Sequence, residues 1–255
     1  SQLVDRHGAP KYKTPGDTRV IYASPLVDVA GNMELVRETI ECCRLILELT
    51  NWHIRLLSKS NLLPKVAQGL TDGHYAARER VIYGVSTGTL DDGLAAAFEE
   101  ETPKVSKRIQ SLHWLQDNGF RTFGMVCPSL PQEDWSGFAR EMAAAIRADR
   151  CEHVWAEVLN ARGDSMTRTV NALRAGRFNS EAAALDATSD RIQWEHYARA
   201  TFDAHVKALP KRKLRFLQYV TNDTRAWWKA REKQGAVLLG AGAHSDLTPA
   251  GTGAK

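Results

Sequence analysis

The side chains best suited to chemistry form a series along the chain. Ser24 and Asp28, then Ser58, Lys59 and Ser60, then Ser86, Thr87 and Thr89, then Cys127 and Ser129, then Asn160, Arg162 and Asp164 each follow a short β-branched or aromatic run. Lys59 stands apart, because an ammonium cannot cap a helix N-terminus, where the dipole favours negative charge. A bound carboxylate or phosphate suits it, and a solvated rim lysine is the bland reading. The hydroxyls and Asp28 have two readings as well, as ligand contacts or as caps of the helices that follow.

The elements that must position this series alternate. Candidate strands are Arg19 to Ala23, His53 to Leu57, Arg80 to Ser86, Arg121 to Val126, His153 to Val158 and Leu214 to Val220, with helical spacing between them. Such alternation predicts parallel strands with helical crossovers, and a β/α barrel gathers its polar residues at the C-terminal strand ends. In the predicted helix Met33 to Leu49, Leu35, Ile40, Cys43 and Leu47 recur three or four residues apart, so one stripe faces a sheet. Val105 to Asn118, with Pro103 near its start and Asn118-Gly119 at its stop, predicts the best-marked helix, and Asp134 to Ala148 predicts another. From Arg162 to Asp190 the spacing predicts a loop and then helices that lead into Arg191 to Leu209. Residues 1–18 read as a loose segment, 19–234 as one barrel domain with a C-terminal helical elaboration, and 235–255 as a flexible tail.

Composition narrows the class. With 255 residues, 43% hydrophobic and 25% charged, disordered and fibrous readings are out. Lys+Arg 34 against Asp+Glu 30 permits a nucleic-acid partner without requiring one. No run approaches the ~18 apolar residues of a membrane span, and no signal segment opens the chain, so a cytoplasmic protein is expected. Four irregularly spaced cysteines match neither a disulfide framework nor a metal-ligand spacing.

The stretch VIYGVSTGTLDDGLAAAFEEETPKVSKRIQSLHWLQDNGFRTFGMVCPSLP resembles the corresponding part of radical S-adenosylmethionine (SAM) proteins of the spore photoproduct lyase-like group, the DNA repair photolyase-like proteins. A strand ending in V-x-x-S, a T-x-D turn, a Glu, a Pro segment, a helix Arg and a strand closing in P-x-x-P follow in order. Ser24-Pro25, in place of Ser-Asp-Pro, and Leu57-Ser58-Lys59-Ser60, in place of T-K-S, continue the match, which runs from about Arg19 to Pro131.

The resemblance implies a partial (βα)6 TIM-type barrel with SAM across the strand ends. It assigns Ser24, Lys59 and Ser86 to the methionyl or ribose part, and adds Glu99 and Arg108 as cofactor contacts. It also implies an iron-sulfur lyase that cleaves SAM reductively to a 5′-deoxyadenosyl radical for hydrogen abstraction from a substrate such as nucleic acid.

One departure is large. The group's C-x3-C-x2-C motif, which holds a 4Fe–4S cluster, has no counterpart here. Cys42 and Cys43 cannot replace it, because neighbours on a helix point to different faces. Either the first strand and cluster loop lie outside this chain, which is the favoured reading, or the barrel has lost the cluster. The alternative function is then a cluster-free barrel that binds a nucleotide or nucleic acid without redox catalysis.

Beyond Pro131 the reading is local. Glu157, Asn160, Arg162 and Asp28 are the candidate substrate contacts, with a turn holding an Arg–Asp pair as the structural alternative at Arg162. Cys127 is either a hydrogen donor or a buried strand-end thiol. Lys211-Arg212-Lys213 with Arg215, followed by Tyr219, Trp227 and Trp228, could grip a nucleic-acid strand through phosphates and stacking, with core tryptophans and a solvated basic run as the structural alternative.

Overall fold

The computed structural model describes residues 2–23, 27–72, 76–160 and 164–239; Ser24 and Arg162, two of the expected contacts, lie outside the described residues. The strands are β1 (Val20–Ala23), β2 (His53–Ser58), β3 (Val81–Ser86), β4 (Thr122–Ser129), β5 (Val154–Val158), β6 (Leu214–Tyr219) and β7 (Ala236–Leu239), in chain order through one sheet. The pairs β1–β2, β2–β3, β4–β5, β5–β6 and β6–β7 are parallel. This is the expected α/β partial barrel, with helices between the strands.

The chain divides into two compact units. The first, Ser1–Ser86 with Ser106–Phe123, holds β1 to β3. Its helix α1 (Met33–Leu49) has the predicted bounds for local reasons. The Asn32 carboxamide accepts from Glu34 N and Leu35 N, each at 2.9 Å, and Val36, Cys43 and Leu47 form the buried stripe. Such a cap is worth about 1 kcal/mol. At the other end the Arg80 guanidinium donates to the carbonyls of Leu47 and Thr50, where exposed C=O groups favour a cation.

Helix α2 (Leu63–Thr71), which the short α3 (Ala76–Arg80) follows, lies so close to α1 that a Cβ on Gly69 would sit 2.4 Å from Ile40 Cδ1. In β2, Ile54, Leu56 and Ser58 are buried while Arg55 and Leu57 face the other way, half-buried. Strand β3 is buried throughout, and the Phe123 ring fills the space beside Gly84. Tyr83 N donates to Arg121 O at 3.0 Å, so the approach to β4 pairs with β3 inside this unit. The segment before β1, read as loose, is tied down: Lys13 Nζ donates to Glu48 O at 2.8 Å, Asn51 Nδ2 to Thr14 O at 2.9 Å, and Trp52 Nε1 to Asp17 at 2.9 Å.

The second unit, Thr87–Val105 with Gly124–Lys255, holds most of β4 and β5 to β7. It carries the helices α4 (Asp92–Phe98), α6 (Trp135–Ala145), α7 (Ser165–Ala175), α8 (Asn179–Asp186), α9 (Arg191–Ala208) and α10 (Asn222–Lys229); α5 (Val105–Asp117) lies in the first unit apart from Val105. Val154, Ala156 and Val158 of β5 and Leu214, Phe216 and Gln218 of β6 are buried, and alternate residues Trp155, Glu157, Arg215, Leu217 and Tyr219 are half-buried.

Trp228 of α10 lies flat on Phe216, with centroids 5.7 Å apart, and donates from Nε1 to Glu195 Oε1 at 2.7 Å. It is therefore a core residue, the structural alternative for this tryptophan, and not a stacking platform. The tail expected from Gly235 onward opens instead with β7, which pairs with β6. Gly235 makes the turn into it at φ 116°, where a Cβ would meet Leu214 O at 2.5 Å. Residues 240–255 lie outside the described residues.

Candidate functional site

In the first unit a carboxylate gathers two loops. Asp28, expected to meet substrate, accepts from Ser58 Oγ at 2.6 Å, Lys59 N at 2.7 Å and Ala30 N at 2.9 Å. Ser58 Oγ in turn accepts from Ser60 N at 2.8 Å, and Ser60 Oγ from Leu62 N at 3.1 Å. These hydroxyls hold the turn after β2, and Asp28 fixes the backbone from which the half-buried Lys59 side chain leaves. Charged acceptors make the stronger hydrogen bonds, so this junction is stiff.

Ser86 ends β3 and is buried, as is Arg108 at 1% exposure. Arg108 Nη1 donates to Ser86 O at 3.3 Å, so the guanidinium ties α5 to the end of β3. The structure thus brings Asp28 together with Lys59, and Ser86 together with Arg108.

In the second unit, Thr87 N donates to Met125 O at 2.9 Å and Cys127 N to Thr87 O at 3.2 Å, extending the ladder along β4. Gly88 crosses directly over Pro128, where a Cβ would lie 1.7 Å from the Pro128 carbonyl oxygen. Beyond this crossing the Cys127 thiol donates to Glu157 Oε2 at 3.7 Å. The two groups meet where the regular pairing ends: Val126 pairs with Ala156, and the register shifts between Val126 and Ser129. Burial raises the Glu157 pKa to about 7, against the opposing pull of the Cys127 hydrogen bond.

Helix α9 holds these strand ends. The Tyr197 hydroxyl donates to Ser129 O and accepts from Leu159 N at 3.1 Å, while Trp194 Nε1 donates to Leu159 O at 2.9 Å. Burial pushes the Tyr197 phenol far up, so it stays neutral. Neither aromatic was a sequence candidate; their three-residue spacing on a helix was the available signal. Asn160 accepts through its carbonyl from Ser165 Oγ at 2.6 Å, and Glu99 is buried at the C-terminus of α4.

The cysteines do not fit a cluster. Cys42 is exposed and Cys43 buried on α1, with the Cys43 pKa pushed up to about 12 by burial. Cys127 is engaged with Glu157, and Cys151 Sγ donates to Ile146 O at 3.6 Å. Among the described residues no three His, Cys, Asp or Glu side chains converge as metal ligands. No helix there is long and apolar enough to cross a membrane.

No protein-family model and no curated protein matches the chain. Solved structures do. A mutant of spore photoproduct lyase superposes with TM-score 0.57 at 13% identity, over 82% of this chain and 63% of that one. The shared feature is the fold. Spore photoproduct lyase complexed with dinucleoside spore photoproduct matches with TM-score 0.56 at 13% identity, and a mutant with bound AdoMet and the same dinucleoside with 0.56 at 12%; coverage of both chains is the same. At such identities the likeness establishes the fold alone, and this chain spans about 63% of the length of those structures.

Proposed function

We propose that this chain binds SAM as a radical SAM-like barrel, with a nucleic-acid component as its substrate. The observation that carries this reading is the shared fold with a lyase whose structure holds AdoMet, over 82% of this chain. When bound, SAM supplies an electrophilic sulfonium and a nucleoside. The Lys59 ammonium is the natural partner of its carboxylate, and the Ser86 hydroxyl of its ammonium or ribose. Asp28 acts through Lys59 and Ser58 as a positioning residue, and Arg108 acts through the Ser86 carbonyl in the same way. Glu99 and Ser24 keep the cofactor contacts that the resemblance gives them. Glu157, Asn160 and Arg162 are proposed for the substrate side.

The scattered cysteines favour a second reading on one point: the thiols of these 255 residues do not assemble a cluster, so reductive cleavage is not assigned to them. Both readings share nucleoside binding. Calorimetric titration tests it. Saturable SAM binding is expected, weakened about 10- to 100-fold in Lys59→Ala, as loss of one hydrogen bond to a charged group predicts. No heat of binding, or an unchanged Lys59→Ala, overturns the proposal.

A further inference from the structure

The densest positive charge lies at the opposite end of β6 from Tyr219. Lys211, Arg212, Lys213 and Arg215 together carry +4, and the nearby Glu232 and Lys233 cancel. The whole chain is also +4, so the remaining residues sum to zero. Arg212, Arg215 and Lys233 line a cleft of about 520 Å³ with Glu232, Gly235 and Val237.

The cleft is built from fixed backbone. Arg215 Nη1 donates to Arg212 O and Leu214 O, each at 2.8 Å, which holds the guanidinium at the wall. Lys213 is not part of the lining, and its Nζ donates to Ala148 O at 3.1 Å and to Asp149 O. Lys211, Arg212 and Lys233 are exposed.

We infer that this cleft docks the phosphate backbone of a nucleic acid. A polyanion matches a concentrated charge in a groove. An anionic membrane surface fits less well, because a surface anchor also needs apolar side chains. None of the large exposed apolar residues among those described belongs to the patch. Base stacking is absent from the mode of binding. Trp228 is buried, and the Trp227 ring is covered by the guanidinium groups of Arg199 at 4.5 Å and Arg231 at 3.3 Å. Recognition is therefore of phosphates and independent of sequence. This inference stands apart from SAM binding.

Fluorescence anisotropy of a labelled oligothymidylate of roughly 20 nucleotides tests it. With about four phosphate contacts the logarithmic salt slope is about −3, a loss of about 50-fold between roughly 50 and 200 mM salt. The Lys211→Glu, Arg212→Glu, Lys233→Glu variant should bind at least tenfold more weakly, with a flatter slope and unchanged SAM binding and circular dichroism. The milder Lys211→Gln, Arg212→Gln pair should fall between. No binding at low salt, equal binding by the charge-reversed variant, or binding to phosphatidylserine vesicles in place of the oligonucleotide overturns the inference.

Discussion

The Cys127 thiol sits 3.7 Å from Glu157 Oε2 at the ends of adjacent parallel strands, and the carboxyl it meets titrates near pH 7. Burial outweighs the hydrogen bond there, so the carboxyl stays partly protonated at neutral pH, where a solvent-exposed one is fully ionised. The pair consequently links protonation to stability.

Because the folded pKa of Glu157 is raised from 4.5 to about 7, its contribution is complete below pH 4.5 and is lost as pH rises through 7. The loss is about 3 kcal/mol. Glu157→Gln should remove it, so that melting curves of the variant and the parent converge at pH 4.5 and separate at pH 8 in favour of the variant. Removing the thiol with Cys127→Ala should raise the Glu157 pKa further, read by carboxyl 13C titration. A Glu157 pKa near 4.5 would contradict both expectations.

His205 has the opposite slope. It is 1% exposed on α9, its ring 6.2 Å from that of Phe138, and burial lowers its pKa from 6.5 to about 4. The unfolded chain binds the proton more readily, so stability falls as pH drops from 6.5 to 4, by about 3 kcal/mol. Both ring nitrogens lack hydrogen-bond partners, and a neutral apolar side chain should be tolerated. His205→Leu should therefore flatten the acid limb of the melting profile. Retention of the full acid limb would show that other groups cause it.

Gly88 leaves no room for a methyl group, since its Cβ position lies 1.7 Å from a backbone oxygen that cannot rotate away. Gly88→Ala should destabilise by roughly 3 kcal/mol or more, and chemical denaturation measures this directly. An effect under about 1 kcal/mol would mean that the crossing over Pro128 is looser than described.

Asp28→Ala should cost about 2–4 kcal/mol, because Ser58 and two backbone amides lose a charged acceptor. Asp28→Asn keeps one acceptor oxygen and should recover part of it. Equal stability of all three proteins would remove Asp28 from its positioning role.

Much of the fold was legible because local signals agreed with tertiary ones. In α1 the Asn32 cap, the apolar stripe through Cys43 and Leu47, and the stop at Thr50 all mark the same seventeen residues. In β5, alternation marks both the strand and the face that carries Glu157. β7 was not legible, because Ala236–Leu239 is four residues beside a Gly/Ala-rich tail and owes its strand form to pairing with β6.

Side-chain roles were harder to read. Asp28 looks like any short polar residue after a strand, and only the fold reveals that its partners lie thirty and thirty-one positions away. Periodicity placed Tyr197 on a helix but could not show that its hydroxyl reaches Ser129. For Trp228 the sequence left a core ring and a stacking platform both open, and helical geometry turns this ring inward onto Phe216.

A crystal structure of the chain grown with millimolar SAM tests the proposed function most directly. The methionyl carboxylate is expected on Lys59 Nζ, with the Asp28 contacts to Ser58 and Lys59 intact. A well-occupied SAM molecule seated away from Lys59 and Ser86, or crystals in which these residues meet no ligand at saturating SAM, would contradict it.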